Sequence, residues 1–432
     1  MKKLLGIIAA ALMIASCSAD REHILKVYNW GDYIDEDLIP EFEEWYEEQT
    51  GEPVKIVYQT FDINETMLSK IEKGHEDFDV VCPSDYIIER MLRNDMLLPI
   101  ETDFGDTPNY IEGCVSPYIS QCMSKLVTGG KDASKYAVGF MWGTTGFVYN
   151  TAHVDPEDVM TWDVLRNHKY EGKIFVKDAA RDIYSNIALY VMKDEIAAGK
   201  ITPDELLSVP KQEYVDRVEE YLMQIKDQVA GYEADFGKDQ MVQERGWISL
   251  NWSGEGHWCK EEAAPAGVSI DYMMPKEGAT VWFDGWVIPK YARNVKAASY
   301  FINFMCKPEN AIRNSEIIGY VSACGDKKVM EHFQDNDYPE MDLTYFFGEG
   351  AEAVHMDKTL YPDKSDIDRC YLEHDWGEDS AMLINMWSRV KGSNANALTY
   401  IIIGALLVAI AAAVIISRAN KKKHSHKKGG RR

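Results

Sequence analysis

The stretch Ile24-Leu25-Lys26-Val27-Tyr28-Asn29-Trp30-Gly31-Asp32-Tyr33 decides how this chain is read. Its apolar, partly β-branched first half predicts a strand over 24–28. Asp35 then caps a predicted helix whose Leu38, Ile39, Phe42, Trp45 and Tyr46 share one face and which stops at Gly51. A second strand is expected over 54–58, a helix over 65–73 capped by Asn64 and stopped at Gly74, and a nearly all-apolar third strand over 78–82. A helix over 87–97 follows Ser84. Strand and helix units of this length build a parallel sheet covered on both faces, with ligand sites just beyond the strand C-termini. Those places are Asn29 to Tyr33 and Pro83-Ser84-Asp85-Tyr86.

The pattern restarts further along. Residues 136–150 and 173–176 read as strands, 181–193 and 215–228 as helices, and 247–251, 269–273 and 282–289 as extended segments. A second lobe therefore begins near Val138. No repeat or low-complexity tract interrupts the chain before a Gly-Ser-Asn linker at 392–396, which argues for two interleaved lobes rather than separate beads.

With 432 residues, 46% hydrophobic and 27% charged, the chain buries at least one large core, so disorder and a fibrous architecture are excluded. The net charge of −24 opposes nucleic acid as a partner, because phosphate binding needs a basic face. Two lysines stand in residues 1–17 and eight Lys or Arg in 400–432, so the acid is concentrated between them. Such a middle attracts cations, and a solvated acidic surface explains it equally well.

Both ends read as addresses. Lys2-Lys3, the apolar run over 4–15 and Ser16-Cys17 form a secretory signal over 1–17, and Ile14-Ala15-Ser16-Cys17 resembles a bacterial lipobox whose cysteine is lipidated. Residues 398–417 are uncharged and apolar, and about 20 residues match a hydrocarbon core of about 30 Å. The basic residues of 418–432 place that end in the cytoplasm, which leaves the folded part outside, on the extracytoplasmic face of the cell membrane. Beyond Cys17, seven cysteines remain, at 82, 114, 122, 259, 306, 324 and 370, with no metal-like CxxC pair. A Cys114–Cys122 disulfide and free buried thiols are both open.

Phosphate-cradling glycine loops, zinc-protease HExxH and the serine-hydrolase elbow are all absent. Nucleotide hydrolysis, metalloprotease action and serine hydrolysis therefore have no visible parts, and no metal or cofactor is called for. What recurs after predicted strands is an aromatic residue beside a carboxylate: Trp30-Gly31-Asp32-Tyr33, Asp85-Tyr86, Trp252-Ser253-Gly254-Glu255 and Trp282-Phe283-Asp284. Aromatic faces cover methylenes and attract a cation, while carboxylates accept charge-assisted bonds from NH₃⁺. The combination suits an alkyl ammonium ligand.

The same residues carry a family likeness. Val27-Tyr28-Asn29-Trp30-Gly31-Asp32-Tyr33-Ile34, Asn64-Glu65-Thr66-Met67, Asp79-Val80-Val81-Cys82-Pro83-Ser84, Trp142-Gly143-Thr144-Thr145-Gly146, Tyr170-Glu171-Gly172, Pro275-Lys276-Glu277-Gly278, Trp282-Phe283-Asp284 and Ile318-Gly319-Tyr320 run in family order. The chain resembles the spermidine/putrescine-binding proteins of polyamine ABC transporters over about 24–392. The resemblance implies an α/β two-lobed periplasmic-binding-protein fold, type II like, with interlobe crossovers. Its expected parts are 24–137 with 284–328, 138–283 with 329–392, a linker at 393–397, and then the C-terminal transmembrane helix. It also implies a ligand-binding set of Trp30, Asp32, Tyr33, Ser84, Tyr86, Asp182, Trp252, Glu255, Trp282, Asp284 and Tyr320, with Asp284 the foremost ammonium acceptor and Asp32 and Glu255 holding further amines. Asp178 matches an acid of the family only with a shift, and the family's polar amide near the last helix has no counterpart around Trp376-Gly377-Glu378. Asp85 beside Ser84 faces either the cleft or solvent. The implied function is capture of putrescine or spermidine and delivery to an ABC permease driven by a separate ATPase, without catalysis. A polyamine-sensing adaptor without transport, and a same-fold binder of an anion, sugar or ferric ion, are the alternatives.

Overall fold

The computed structural model describes residues 21–233 and 237–392. Strand Ile24–Trp30 pairs in parallel with Lys55–Phe61 on one side and with Val80–Val81 on the other. Helices Leu38–Thr50 and Asn64–Glu72 make the intervening connections, and Asp85–Arg93 follows the third strand. A second parallel set joins Ile174–Lys177 to Val229–Glu233 and Ile248–Trp252, with helices Ala180–Val191 and Gln212–Ile225 packed beside it.

Two long strands, Ala137–Asn150 and Ala279–Pro289, join the sets into one sheet. They run antiparallel to each other, and each meets its flanking set antiparallel. The sheet is therefore mixed where the sequence predicts a parallel one. The reason is directional: a chain that leaves one lobe and later returns must traverse the joint both ways. Both strands are buried almost throughout, and Trp282 is the one residue of Ala279–Pro289 that retains appreciable exposure. This is the two-lobed α/β architecture with crossovers between lobes.

Several local expectations change. Asp35 does not cap the first helix: it is buried and takes Arg313 Nε at 2.9 Å and the Asp37 amide at 3.1 Å, while the helix ends, as predicted, on a left-handed Gly51 with φ 72°. Asn64 is the first helical residue rather than a cap, and its amide reaches across to Ser84 and Tyr86. The third strand shrinks to Val80–Val81, and the helix after Ser84 starts at Asp85 and ends at Arg93. All seven described cysteines are free and buried, which removes the Cys114–Cys122 disulfide. Among the described residues no helix is long and apolar enough to cross a membrane. The signal, Cys17, the linker, the span over 398–417 and the basic tail lie outside those residues.

Asp79 locks the first strand to the exit of the second crossover. Fully buried, it accepts Arg21 Nη2 at 2.8 Å and the backbone amides of Lys26, Arg293 and Asn294 at 2.8, 2.8 and 2.9 Å. Asp79→Ala leaves a guanidinium and three amides short of an acceptor, so urea denaturation should show a loss of about 3–5 kcal/mol, as for other broken buried pairs.

Candidate functional site

The register of the crossover strands builds one aromatic wall. Trp282 lies opposite Gly143 and Trp252 opposite Thr145, and positions 143 and 145 share a face of the strand. The two indoles therefore meet, with ring centroids 6.1 Å apart at a 64° angle. Tyr320 leads into Val321–Ser322, which pairs with Met141 and Trp142, and its ring sits 5.7 Å from Trp282 and 5.9 Å from Tyr33. Glycines make room for the wall. A Cβ on Gly143 would stand 2.7 Å from Trp282 Cζ2, and one on Gly254 would stand 2.5 Å from the Tyr320 ring.

Asp284 stands at the end of this wall. Two residues beyond Trp282 on the same strand, it shares that face, and the register slips directly after it, between Asp284 and Gly285. Ser84 bridges to it as an isolated strand pair. The carboxylate is buried and accepts the Ser84 hydroxyl at 2.7 Å on Oδ1 and the Tyr33 hydroxyl at 2.8 Å on Oδ2. Burial pushes its pKa up to about 6, although the two hydroxyl bonds pull it down. Burial, reinforced by the Asp284 charge, also raises the Tyr33 phenol well above its ordinary value, so the hydroxyl stays a donor.

Other acids ring the wall. Asp182, near the start of the helix Ala180–Val191, accepts Trp252 Nε1 at 3.0 Å. Glu255 accepts the Tyr320 hydroxyl at 3.2 Å and lies 3.5 Å from Lys238 Nζ. Ser84 and Tyr86 both take the Asn64 amide, at 3.0 and 3.1 Å, and Tyr86 donates to Glu65 at 3.3 Å. Trp30 packs on Phe61 at 4.6 Å, half-buried at the end of the first strand. Asp32 is exposed on the following turn with φ 50°, apart from the buried acids. Asp178 turns away: it accepts Trp387 Nε1 at 2.6 Å and Lys391 Nζ at 2.8 Å and so holds the C-terminal helix Ser380–Gly392.

Three charged groups come from outside the set expected from the sequence. Asp85 is buried, not solvent-facing; it accepts the Tyr86 and Phe283 amides, and burial followed by Glu373 raises its pKa well above the ordinary value. Glu373, just after strand Cys370–Leu372, is buried, and its Oε1 has no partner among the described residues. Burial and then the Asp182 charge push its pKa up to about 8. The exposed Glu378 plays no comparable part. The third is Lys177, buried, with its Nζ 4.1 Å from the centroid of the Trp252 ring. A carboxylate shortly after a strand is a usable signal for Glu373, whereas nothing in a lone lysine at a strand end separates Lys177 from a surface one.

The residues after Glu373 strap the lobes together. His374 Nδ1 meets Glu89 at 2.7 Å, Arg93 pairs with Asp375, and Arg181 Nη1 donates to the His374 carbonyl at 2.7 Å. Arg181 also lies 4.3 Å over the Tyr86 ring. Among the described residues no cluster of His, Cys, Asp or Glu is arranged to hold a metal ion.

The model of the family described as bacterial extracellular solute-binding protein matches residues 41–336. The chain belongs to this family. It is 27% identical over 393 residues to the spermidine/putrescine-binding periplasmic protein of Escherichia coli K12, covering 90% of this chain and 98% of that one. It is 28% identical over 337 residues to the putrescine-binding periplasmic protein PotF of the same organism, covering 74% and 84%. Among solved structures, the spermidine/putrescine ABC transporter substrate-binding protein PotD of Streptococcus pneumoniae superposes with a TM-score of 0.62 at 28% identity, covering 85% of this chain and 98% of that one. The wall and Asp284 sit where the two crossover strands join the parallel sets.

A buried carboxylate beside aromatic faces has the chemistry to accept an organic cation. The close seating of the rings on glycine gives a direct test. Gly254→Ala should displace Tyr320, lower stability by about 1–3 kcal/mol as overpacking does, and weaken ligand binding, whereas Gly51→Ala, with open space around it but φ 72°, should affect stability alone. Thermal unfolding with and without ligand separates the two.

Proposed function

We propose that this chain is a non-enzymatic extracytoplasmic receptor that captures a polyamine such as putrescine or spermidine between its lobes and delivers it to an ABC permease with a separate ATPase. The observation that carries the reading is Asp284. It is a buried carboxylate whose side-chain partners, among the described residues, are two hydroxyl donors, so its charge awaits a cation. Trp282, Tyr320 and Trp252 run from it as a path for methylenes, and Asp182 and Glu255 lie further along. The names of the relatives agree: two bind putrescine or spermidine in the periplasm, and the PotD structure is the substrate-binding part of an ABC transporter. Arg181 does not turn the cleft into an anion site, because Glu373, Glu65 and Asp375 surround its charge with acids and two of its N–H groups go to the His374 carbonyl and, at 3.2 Å, to the Ser380 hydroxyl.

The proposed ligand set is the one expected from the sequence, with Asp284, Tyr33, Ser84, Trp282, Trp252, Tyr320, Asp182 and Glu255 at its centre and Trp30, Asp32 and Tyr86 at its rim. We also propose that Cys17 carries lipid and that residues 398–417 cross the membrane, which holds the receptor beside its permease and raises its effective concentration there. Metabolic labelling with palmitate should mark the wild type and not Cys17→Ala.

Titration calorimetry with putrescine and spermidine tests the ligand. Asp284→Ala should weaken binding by about 2–5 kcal/mol, the usual cost of removing one partner of a buried charge pair; unchanged affinity would remove Asp284 from the site. The pH dependence has a definite sign. An ammonium binds the ionised carboxylate, and with a pKa of about 6 roughly a tenth of Asp284 is ionised at pH 5. Affinity should therefore fall by about tenfold between pH 7 and pH 5 through this group, and Asp284→Asn should lose that part of the slope.

A further inference from the structure

Lys177 is an alkyl ammonium built into the wall that an alkyl ammonium ligand would use. It ends the strand Ile174–Lys177, is buried, and holds its Nζ 4.1 Å from the Trp252 ring centroid. The indole beneath it donates to Asp182 at 3.0 Å, so cation, ring and carboxylate form one cluster. The electrostatics of the cluster links its members. Burial raises the proton affinity of Asp182, and the Trp252 hydrogen bond and the Lys177 charge oppose it. Burial likewise raises that of Glu373, whose Oε1 has no partner among the described residues, and the Asp182 charge adds to it. The other end of the wall differs. Asp284 is met by the hydroxyls of Tyr33 and Ser84.

Resting on the polyamine reading above, we propose that Lys177 occupies the position of a ligand amine at the Asp182 end of the cleft and thereby makes the receptor selective for short diamines over triamines. The physical argument is one of duplication. A triamine that spans the wall would bring a second ammonium toward Trp252 and Asp182, where the Lys177 charge already acts on the acid and covers a face of the ring. Like charges crowded onto one ring and one carboxylate repel in a medium less screening than water. A diamine anchored at Asp284 stops short of the conflict. Exclusion by a resident like charge is a usual route to specificity.

The experiment is titration calorimetry of full-length protein in detergent with putrescine and spermidine, for the wild type, Lys177→Met and Lys177→Arg. Wild type is expected to bind putrescine at least tenfold more tightly than spermidine. Lys177→Met, which keeps the stem and drops the charge, should shift the spermidine-to-putrescine affinity ratio at least tenfold toward spermidine, while Lys177→Arg keeps the wild-type ratio. An unchanged ratio in a Lys177→Met protein with wild-type melting overturns the proposal. A wild type that binds spermidine as tightly as putrescine overturns it whatever the variants do. Absence of heat with any polyamine refutes the receptor reading itself, and a wild type that binds polyamines with the wrong ratio refutes only the role of Lys177.

Discussion

The pairing of two antiparallel strands, Ala137–Asn150 with Ala279–Pro289, is the constraint on which everything else depends. It carries the chain between lobes, and its register decides which side chains share a face. Trp282 opposite Gly143 and Trp252 opposite Thr145 put both indoles on one surface. Alternation then delivers Asp284 to the same side. A slip of one residue would send Trp282 and Asp284 into the opposite layer and leave Phe283 in the cleft.

Electrostatics gives this surface its chemistry. Of the acids at the joint, Asp284 is buried and Asp182 and Glu255 are half-buried, and each is stabilised differently. Asp284 relies on hydroxyl donors, Asp182 on an indole N–H and the field of Lys177, and Glu255 on Tyr320 and Lys238. Only the first depends wholly on neutral donors among its described side-chain partners. In the proposed complex a cationic guest gains most there, because it supplies the charge that these side-chain partners do not.

Much of this is legible in the amino-acid sequence. The opening strand and helices, the restart in the second half and the aromatic and acid pairs at strand ends all follow from periodicity and from turn and cap chemistry. The parallel-sheet expectation fails because the direction of a crossover is a property of the whole path and leaves no trace in a local pattern. Asp35 and Asn64 look like caps by residue type, yet Arg313 and Ser84 claim them from far along the chain. Lys177 escapes notice for the same reason: its burial comes from a tertiary neighbour, here Trp252, which a lone lysine at a strand end does not announce, whereas Glu373 carries the weak signal of an acid just after a strand. Asp178 and Asp182 separate only through Trp387 and Lys391, which hold the former.

The glycine seats beneath the rings have a consequence for how such a receptor can diversify. With Gly143 against Trp282 and Gly254 against Tyr320, any added carbon collides with an indole or phenol, so the floor near Asp284 admits almost no variation. Lys177, by contrast, is a long side chain at a strand end whose tip lies on the Trp252 ring. On the proposed role of Lys177, drift among descendants of this chain is channelled to that extremity of the groove, where new cargo lengths would arise while the Asp284 end stays frozen.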